Sequence, residues 1–135
     1  MLYIARIQGG IKCTDPAISH CAGSIRSIDS GTSWSANSSV GRGQLPDPQC
    51  KNTVATTATA GLVHGGSHSV SARTNVSALF STDQGNSWGR EVMVWKYPRV
   101  GGYVAAQGFV HEATNKVGLV FENNTCSIAI GYFSV

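Results

Sequence analysis

The sequence predicts an all-β protein, and three observations support this prediction. Short β-prone runs alternate with Gly- and Pro-containing breakers along the whole chain. No stretch combines a sustained 3.6-residue apolar period with helix caps at both ends. Glycine accounts for 16 of the 135 residues and charged side chains for only 13%, well below the roughly 25% of a typical soluble domain. A hydrophobic share of 41% is enough for a packed core and argues against disorder.

The predicted strands are mostly five to eight residues long, and several of them alternate polar with apolar residues. In chain order they are LYIARI at 2–7, GSIRSI at 23–28, NTVATTA at 52–58, NVSALFS at 75–81, EVMVW at 91–95, YVAAQGFV at 103–110, KVGLVFE at 116–122 and CSIAIGYF at 126–133. The breakers between them include GG at 9–10, DP at 15–16, GRG at 41–43, LPDP at 45–48, GG at 65–66 and GG at 101–102. The four histidines lie in Gly- and Ser-rich surroundings, which favours surface or loop positions.

One octapeptide pattern occurs twice. Residues 27–34 (SIDSGTSW) and 81–88 (STDQGNSW) both read S-x-D-x-G-x-S-W, and we call the separation of their aspartates the repeat spacing. The pattern suits a hairpin turn, in which the Asp side chain accepts bonds from turn amides, Gly takes a positive φ and Trp packs beneath. We therefore predict structural roles for its residues, which are Ser27, Asp29, Gly31, Trp34, Ser81, Asp83, Gly85 and Trp88.

The repeat spacing indicates a β-propeller, because it matches the length of one four-stranded blade, roughly 50 residues. At that length per blade, the chain provides little more than two blades. A propeller needs at least about four blades to close. Residues 1–135 are therefore expected to form one domain that belongs to a longer protein or to a subunit that must assemble.

The octapeptides are Asp boxes, and their flanks resemble the sialidase (neuraminidase) family of six-bladed β-propellers. Residues 2–6 (LYIAR) resemble the family strand that ends in Ala-Arg, and residues 45–50 (LPDPQC) its L-x-[DE]-P-x-C segment. Residues 71–77 (SARTNVS) resemble its R-x-N-[LV]-[ST] strand. Residues 101–103 (GGY) and 116–122 (KVGLVFE) resemble the nucleophile strand and the strand after it. The resemblance covers essentially the whole chain and corresponds to the C-terminal part of the catalytic propeller.

The resemblance implies roles for four residues. Arg6 and Arg73 correspond to two members of the arginine triad that grips the sialic-acid carboxylate, which a planar guanidinium binds in fork geometry. Tyr103 corresponds to the nucleophile, since sialidases use a tyrosine where most glycosidases use a carboxylate. A neutral phenol can approach an anomeric carbon that already bears a carboxylate, whereas an anionic side chain is repelled. Glu122 corresponds to the carboxylate that supports and orients the first triad arginine.

The chain also departs from the family pattern. Val104 and Ala105 follow the tyrosine where the family often has Ser-Asp. The family glutamate that takes the proton from the tyrosine belongs before Met1. The first triad arginine and the aspartate acid/base belong to still earlier blades. We therefore expect the chain by itself not to hydrolyse a glycoside efficiently, because acid–base help is worth ~10²–10⁴ in rate.

The implied function is that of an exo-α-sialidase, which removes terminal sialic acid from glycoconjugates with retention of configuration through a tyrosyl-glycosyl intermediate. No cofactor and no metal are implied, and no CxxC pair supports a zinc site. The implied partners are sialylated glycans and the remaining propeller blades. Two alternatives stay open: a lectin-like subunit that binds sialic acid without catalysis, and a purely structural Asp-box propeller piece.

Charge and cysteines limit the remaining possibilities. The net charge of +3 is spread along the chain, so nucleic-acid binding is not predicted. No apolar run approaches the ~20 residues of a membrane span.

Cys13 and Cys21 could close a short loop, and Cys50 and Cys126 could pair or remain thiols. Sequons at Asn37, Asn75 and Asn123 favour a secreted protein. Met1 is followed at once by the strand-like segment LYIAR, without the features of a signal peptide, so the protein is either cytosolic or has a natural start before Met1, and we favour the second.

Overall fold

The computed structural model describes residues 2–5, 21–35, 38–39, 45–48, 50–69, 72–96, 109–114, 116–123 and 127–135. These residues form ten β-strands and one short 3₁₀ turn at Glu112–Thr114, and none of them lies in an α-helix. The prediction of an all-β chain is therefore confirmed.

The strands are arranged in three antiparallel sheets. The first sheet contains β1 (Leu2–Ala5), β2 (Gly23–Arg26) and β3 (Ser38–Ser39). The middle sheet contains β4 (Thr53–Thr57), β5 (Gly61–Ser67), β6 (Val76–Ser81) and β7 (Gly89–Trp95). The last sheet contains β8 (Phe109–His111), β9 (Lys116–Asn123) and β10 (Ser127–Ser134). Within each sheet, strands that follow one another in the sequence are paired, so every sheet is a meander.

The sequence prediction missed β5. Gly65 and Gly66, which were expected to interrupt the chain, lie inside this strand and pair with Ala78 and Ser77 of β6. A Cβ atom on Gly65 would lie 2.5 Å from Cδ2 of Leu119 in the last sheet. Gly65 therefore permits a close approach between packed layers, and neither glycine forms a turn.

The middle sheet is covered on both faces, because alternate side chains of its strands point in opposite directions. On one face, Leu79 and Trp88 pack with residues of the first sheet and its flanks, namely Ile4, Ala22 and Leu45. On the other face a second core joins the middle sheet to the last sheet, and its buried members are Cys50, Val63, Val76, Ala78, Phe80, Val117, Leu119 and Phe121. Strand β6 is buried along its whole length. The three sheets are thus stacked face to face.

The two hairpins that carry the Asp boxes have the same register. In the first sheet, Ser24 of β2 pairs with Ser38 of β3. In the middle sheet, Ala78 of β6 pairs with Val92 of β7. Each member of the second pair follows its counterpart in the first pair by the repeat spacing. The sequence repeat is therefore a structural repeat as well.

The cysteines resolve one of the open alternatives. Cys50 is a buried thiol in the core between the middle and last sheets, so a Cys50–Cys126 disulfide is excluded. Cys21 is disulfide-bonded, and its partner lies outside the described residues. The pairing of Cys13 with Cys21 stays a prediction.

Candidate functional site

Each Asp box is closed by its own serine and aspartate. In the second box, Ser81 Oγ donates to Asp83 Oδ1 at 2.8 Å and accepts the Gly85 amide at 2.7 Å. Asp83 Oδ1 also accepts the Ser87 amide at 2.8 Å, and Asp83 Oδ2 accepts the Ser87 hydroxyl at 2.6 Å. Gly85 has a φ of 85° and the preceding Gln84 one of 59°, so two successive left-handed residues turn the chain.

The first box repeats this network. Ser27 Oγ donates to Asp29 Oδ1 at 2.8 Å and accepts the Gly31 amide at 2.6 Å. The Ser33 amide and hydroxyl donate to the two carboxylate oxygens of Asp29 at 2.9 and 2.6 Å. These bonds, led by that from the serine hydroxyl at the seventh position of each box, lower the pKa of Asp29 and the pKa of Asp83 to about 2. Both boxes thus contain the expected bond from a turn amide to the aspartate and a glycine with positive φ.

The two box tryptophans differ in burial. Trp88 is only 5% exposed, because the first sheet covers it, whereas Trp34 is 41% exposed. The indole of Trp34 donates to the Gly31 carbonyl at 3.1 Å and so stays against its own turn. No sheet among the described residues covers Trp34, which explains the difference.

Arg73 lies at the end of the middle sheet opposite the Asp box. It belongs to the connection between β5 and β6, whereas the box connects β6 to β7. The His68 amide closes this connection by donating to the Asn75 carbonyl at 2.9 Å, and Asn75 has a φ of 56°. Arg73 itself is half-buried. Arg73 and the second Asp box therefore lie at opposite ends of β6.

Glu122 lies at the same end of the stack, in the last sheet. Phe121 next to it contacts Trp95, the last residue of β7, with ring centroids 6.2 Å apart. Phe121 points into the core, so Glu122 lies on the face turned away from the middle sheet, opposite Ile128 of β10. An arginine of another blade that Glu122 supports, as the resemblance implies, would have to approach this outer face.

Arg6 and Tyr103 lie outside the described residues. Arg6 directly follows β1, whose first residue, Leu2, pairs with Arg26 beside the first Asp box. The chain therefore leaves β1 at the end away from that box. Tyr103 belongs to the stretch between β7 and β8, and β7 ends at Trp95, on the side of Phe121. The positions of the Arg6 and Tyr103 side chains therefore stay predictions.

Sequence reasoning missed a polar cluster on the middle-sheet face toward the first sheet. His64 is buried inside β5, at a ring-centroid distance of 5.7 Å from Trp88. Both of its ring nitrogens have no hydrogen-bond partner among the described residues. Burial, and secondarily the charge of His68, lowers the pKa of His64 to about 3. The expected surface or loop position was therefore wrong for His64, which is buried because the first sheet covers this face of β5.

His68 completes this cluster through an ion pair. Its Nδ1 lies 2.8 Å from Glu91 Oε1, and both side chains are partly exposed. Burial raises the pKa of Glu91, but hydrogen bonds from Ser77 and His68 and the charge of His68 outweigh it and lower the pKa overall. The pair bridges β7 and the end of β5, so it ties the connection that carries Arg73 to the outer strand.

A cavity of about 480 Å³ opens at the opposite end, beside the second Asp box. Thr59, Ser87, Arg90 and Val135 line it together with Phe80. The Arg90 guanidinium lies 4.8 Å above the Phe80 ring, a cation–π arrangement that holds the cation against the wall. This cavity lies far along the strands from the end that holds Arg73 and Glu122.

Within the part of the chain that the structure describes, no three His, Cys, Asp or Glu side chains are grouped to hold a metal ion. No helix in that part has the length and apolarity to cross a membrane. The chain matches no protein-family model and no curated protein.

Proposed function

We propose that the chain is the C-terminal part of a six-bladed sialidase propeller and that the complete propeller is an exo-α-sialidase. One observation carries the proposal: two Asp-box hairpins of the same register and hydrogen bonding lie on neighbouring, face-to-face sheets. Repeated meanders stacked in this way are the building units of propellers. The remaining blades, from the same polypeptide or from other subunits, would complete the ring.

The position of Arg73 supports the proposed substrate class. A guanidinium and a carboxylate form paired charge-assisted hydrogen bonds, and Arg73 lies in a connection held in shape by the His68–Asn75 bond. Glu122 lies at the same end of the neighbouring last sheet, next to Phe121, which contacts Trp95, and Arg6 would join Arg73 from the first sheet. Two arginines from neighbouring sheets would thus converge on one anionic sugar.

Tyr103 would carry the chemistry. Its phenol oxygen would form a bond to the anomeric carbon while the bond from that carbon to the leaving oxygen breaks. Water would then replace the tyrosine, and two inversions would give net retention. The carboxylates that move the protons would come from blades outside these 135 residues. Binding and turnover can therefore be tested separately.

The binding test uses the 135-residue chain and N-acetylneuraminic acid, titrated by calorimetry or ligand-observed NMR. We expect Arg73→Ala to weaken binding about 10- to 100-fold, as the loss of a charge-assisted pair implies, and Arg73→Lys to restore only part of it. Arg26→Ala is the matched control, because Arg26 lies beside the first Asp box at the other end. Equal losses from both alanine variants, or no binding by the unmodified chain, would contradict the proposal.

The turnover test uses a longer protein that includes the preceding blades. Tyr103→Phe should abolish the release of sialic acid from a chromogenic α-sialoside while leaving sialic-acid binding intact, because only the attacking oxygen is removed. Undiminished turnover would rule out Tyr103 as the nucleophile. Binding by Arg73 without turnover in the unmodified longer protein would instead favour the lectin-like alternative.

A further inference from the structure

The last sheet has an exposed apolar face. Ile128, Ile130 and Tyr132 of β10 are 75%, 52% and 58% exposed. The alternate residues Ala129 and Phe133 pack against the core that joins this sheet to the middle sheet. The three exposed side chains therefore form one stripe on the face turned away from the stack, and an apolar surface of this kind marks an interaction site.

The first sheet has an uncovered face on the opposite outer side of the three stacked sheets. Ile4 points toward the middle sheet and pairs with Ser24. Ile25, the next residue of β2, therefore points away from the middle sheet. Trp34 corresponds by the repeat spacing to Trp88, which lies on the same side of its own sheet. Within the described part of the chain no sheet covers this face.

The uncovered face of the first sheet corresponds, residue by residue, to a face that is already used for packing between sheets. In the middle sheet, the face that docks onto the first sheet contains Leu79 and Trp88. Their counterparts in the first sheet, one repeat spacing earlier in the chain, are Ile25 and Trp34 on the open face. The exposed face of the first sheet thus corresponds to the face by which the middle sheet packs onto the first sheet. The stripe on β10 lies on the outer face of the last sheet, where the docking face of a further sheet could pack.

We propose that the open face of the last sheet binds the open face of the first sheet of a second copy of this chain. The contact is heterologous, since each copy contributes two different surfaces, and it repeats the packing already present between neighbouring sheets. Two copies would place six sheets in one stack, because each copy contributes three. This inference rests only on the stacking and does not depend on sialic-acid chemistry.

The test is the molar mass of the 135-residue chain, measured by sedimentation equilibrium across the micromolar range. We expect the unmodified chain to associate to a dimer or a larger assembly and Ile130→Lys to remain a monomer. Ile28→Lys is the matched control, because Ile28 is almost fully exposed but lies in the first Asp-box turn. It should associate like the unmodified chain. Circular dichroism checks that all variants are folded, and the milder Ile130→Thr should weaken association without a new charge.

Complementation separates this interface from unspecific aggregation. Trp34→Ala should also be monomeric, because it damages the other surface. Mixed with Ile130→Lys, it should form a one-to-one pair through the one intact interface and nothing larger. A monomeric unmodified chain, association unaffected by Ile130→Lys, or a mixture that stays monomeric would each overturn the proposal.

Discussion

Gly65 of β5 lies so close to Leu119 of β9 that a Cβ atom on the glycine would be 2.5 Å from Cδ2 of the leucine. Real Cβ atoms essentially never approach another heavy atom so closely. The two residues belong to the middle and last sheets, so the missing side chain sets the spacing between those layers. Gly131 of β10 has the same relationship to Cγ1 of Val94 in β7.

We predict that Gly65→Ala lowers the free energy of unfolding by about 1–3 kcal/mol, as overpacking of a close-packed core does. Urea denaturation measures the change. Gly89→Ala is the control, because a Cβ atom on Gly89 would have no neighbour within 4 Å, and it should change stability little. The double variant Gly65→Ala/Leu119→Val should lose at least about 0.5 kcal/mol less unfolding free energy than the two single variants lose in sum. Strict additivity would contradict the close contact.

Ser81→Ala should destabilise the chain by about 1–3 kcal/mol, the cost of leaving a buried hydrogen-bonding group without a partner. Ser81 is buried, and its hydroxyl satisfies both the Gly85 amide and Asp83. Ser27→Ala should cost a similar amount, because Ser27 makes the same bonds in the first box. Thermal or urea denaturation measures both variants. Ser134→Ala, at an exposed position of β10, is the control, and an equal loss there would refute the role of the boxes.

The stability of the chain should fall with acid because of His64. Its folded-state pKa of about 3 lies below the ordinary value of 6.5, so between these values the unfolded chain binds one more proton than the folded chain. Its contribution is therefore fully present above pH 6.5 and is lost as the pH falls toward 3, by about 1.4 kcal/mol per pH unit. Asp29 and Asp83 do not produce this slope, because their carboxyls lose stabilising charge only between about pH 3.8 and 2.

The measurement is urea denaturation between about pH 6.5 and 5, which lies above the range in which carboxyls titrate. His64→Leu should reduce the slope by about 1.4 kcal/mol per pH unit and should change stability at neutral pH little, because neither ring nitrogen has a hydrogen-bond partner among the described residues. His68→Gln tests the contribution of the neighbouring ion pair. An unchanged slope in His64→Leu would show that this side chain is protonated without unfolding.

The strands that the sequence predicted best are those rich in β-branched and other apolar residues and bounded by turn residues. KVGLVFE at 116–122 corresponds to β9 (Lys116–Asn123), and NVSALFS at 75–81 corresponds to β6 (Val76–Ser81). The glycines of β5 misled the prediction, because a Gly-Gly pair promotes a turn locally. The pair lies in a strand because β4 and β6 flank it on both sides, and Leu119, distant in the sequence, leaves no room for a side chain on Gly65. Tertiary contacts of this kind leave no local signal in one sequence.

The Asp boxes were predictable in detail, since their bonds all form within one octapeptide. The candidate site was not, because it depends on how separate sheets are placed. Arg73 and Glu122 were predicted from resemblance and prove to lie at the same end of neighbouring sheets. The alternation of Val117, Leu119 and Phe121 with Glu122 separates the glutamate from the core face of its strand, but the sequence does not show which sheet that core face packs against. Arg6 and Tyr103, outside the described residues, stay predictions.

The position of the middle sheet between two others has a consequence for local opening. Amide hydrogens of β6, which is buried along its whole length, can exchange with solvent only when both neighbouring layers separate from it. Those of β10 are held on one side only and should exchange through smaller, more frequent fluctuations. The connection that carries Arg73 is anchored directly to β6. The slowest-exchanging strand of the chain would therefore hold the proposed sugar-binding arginine in place.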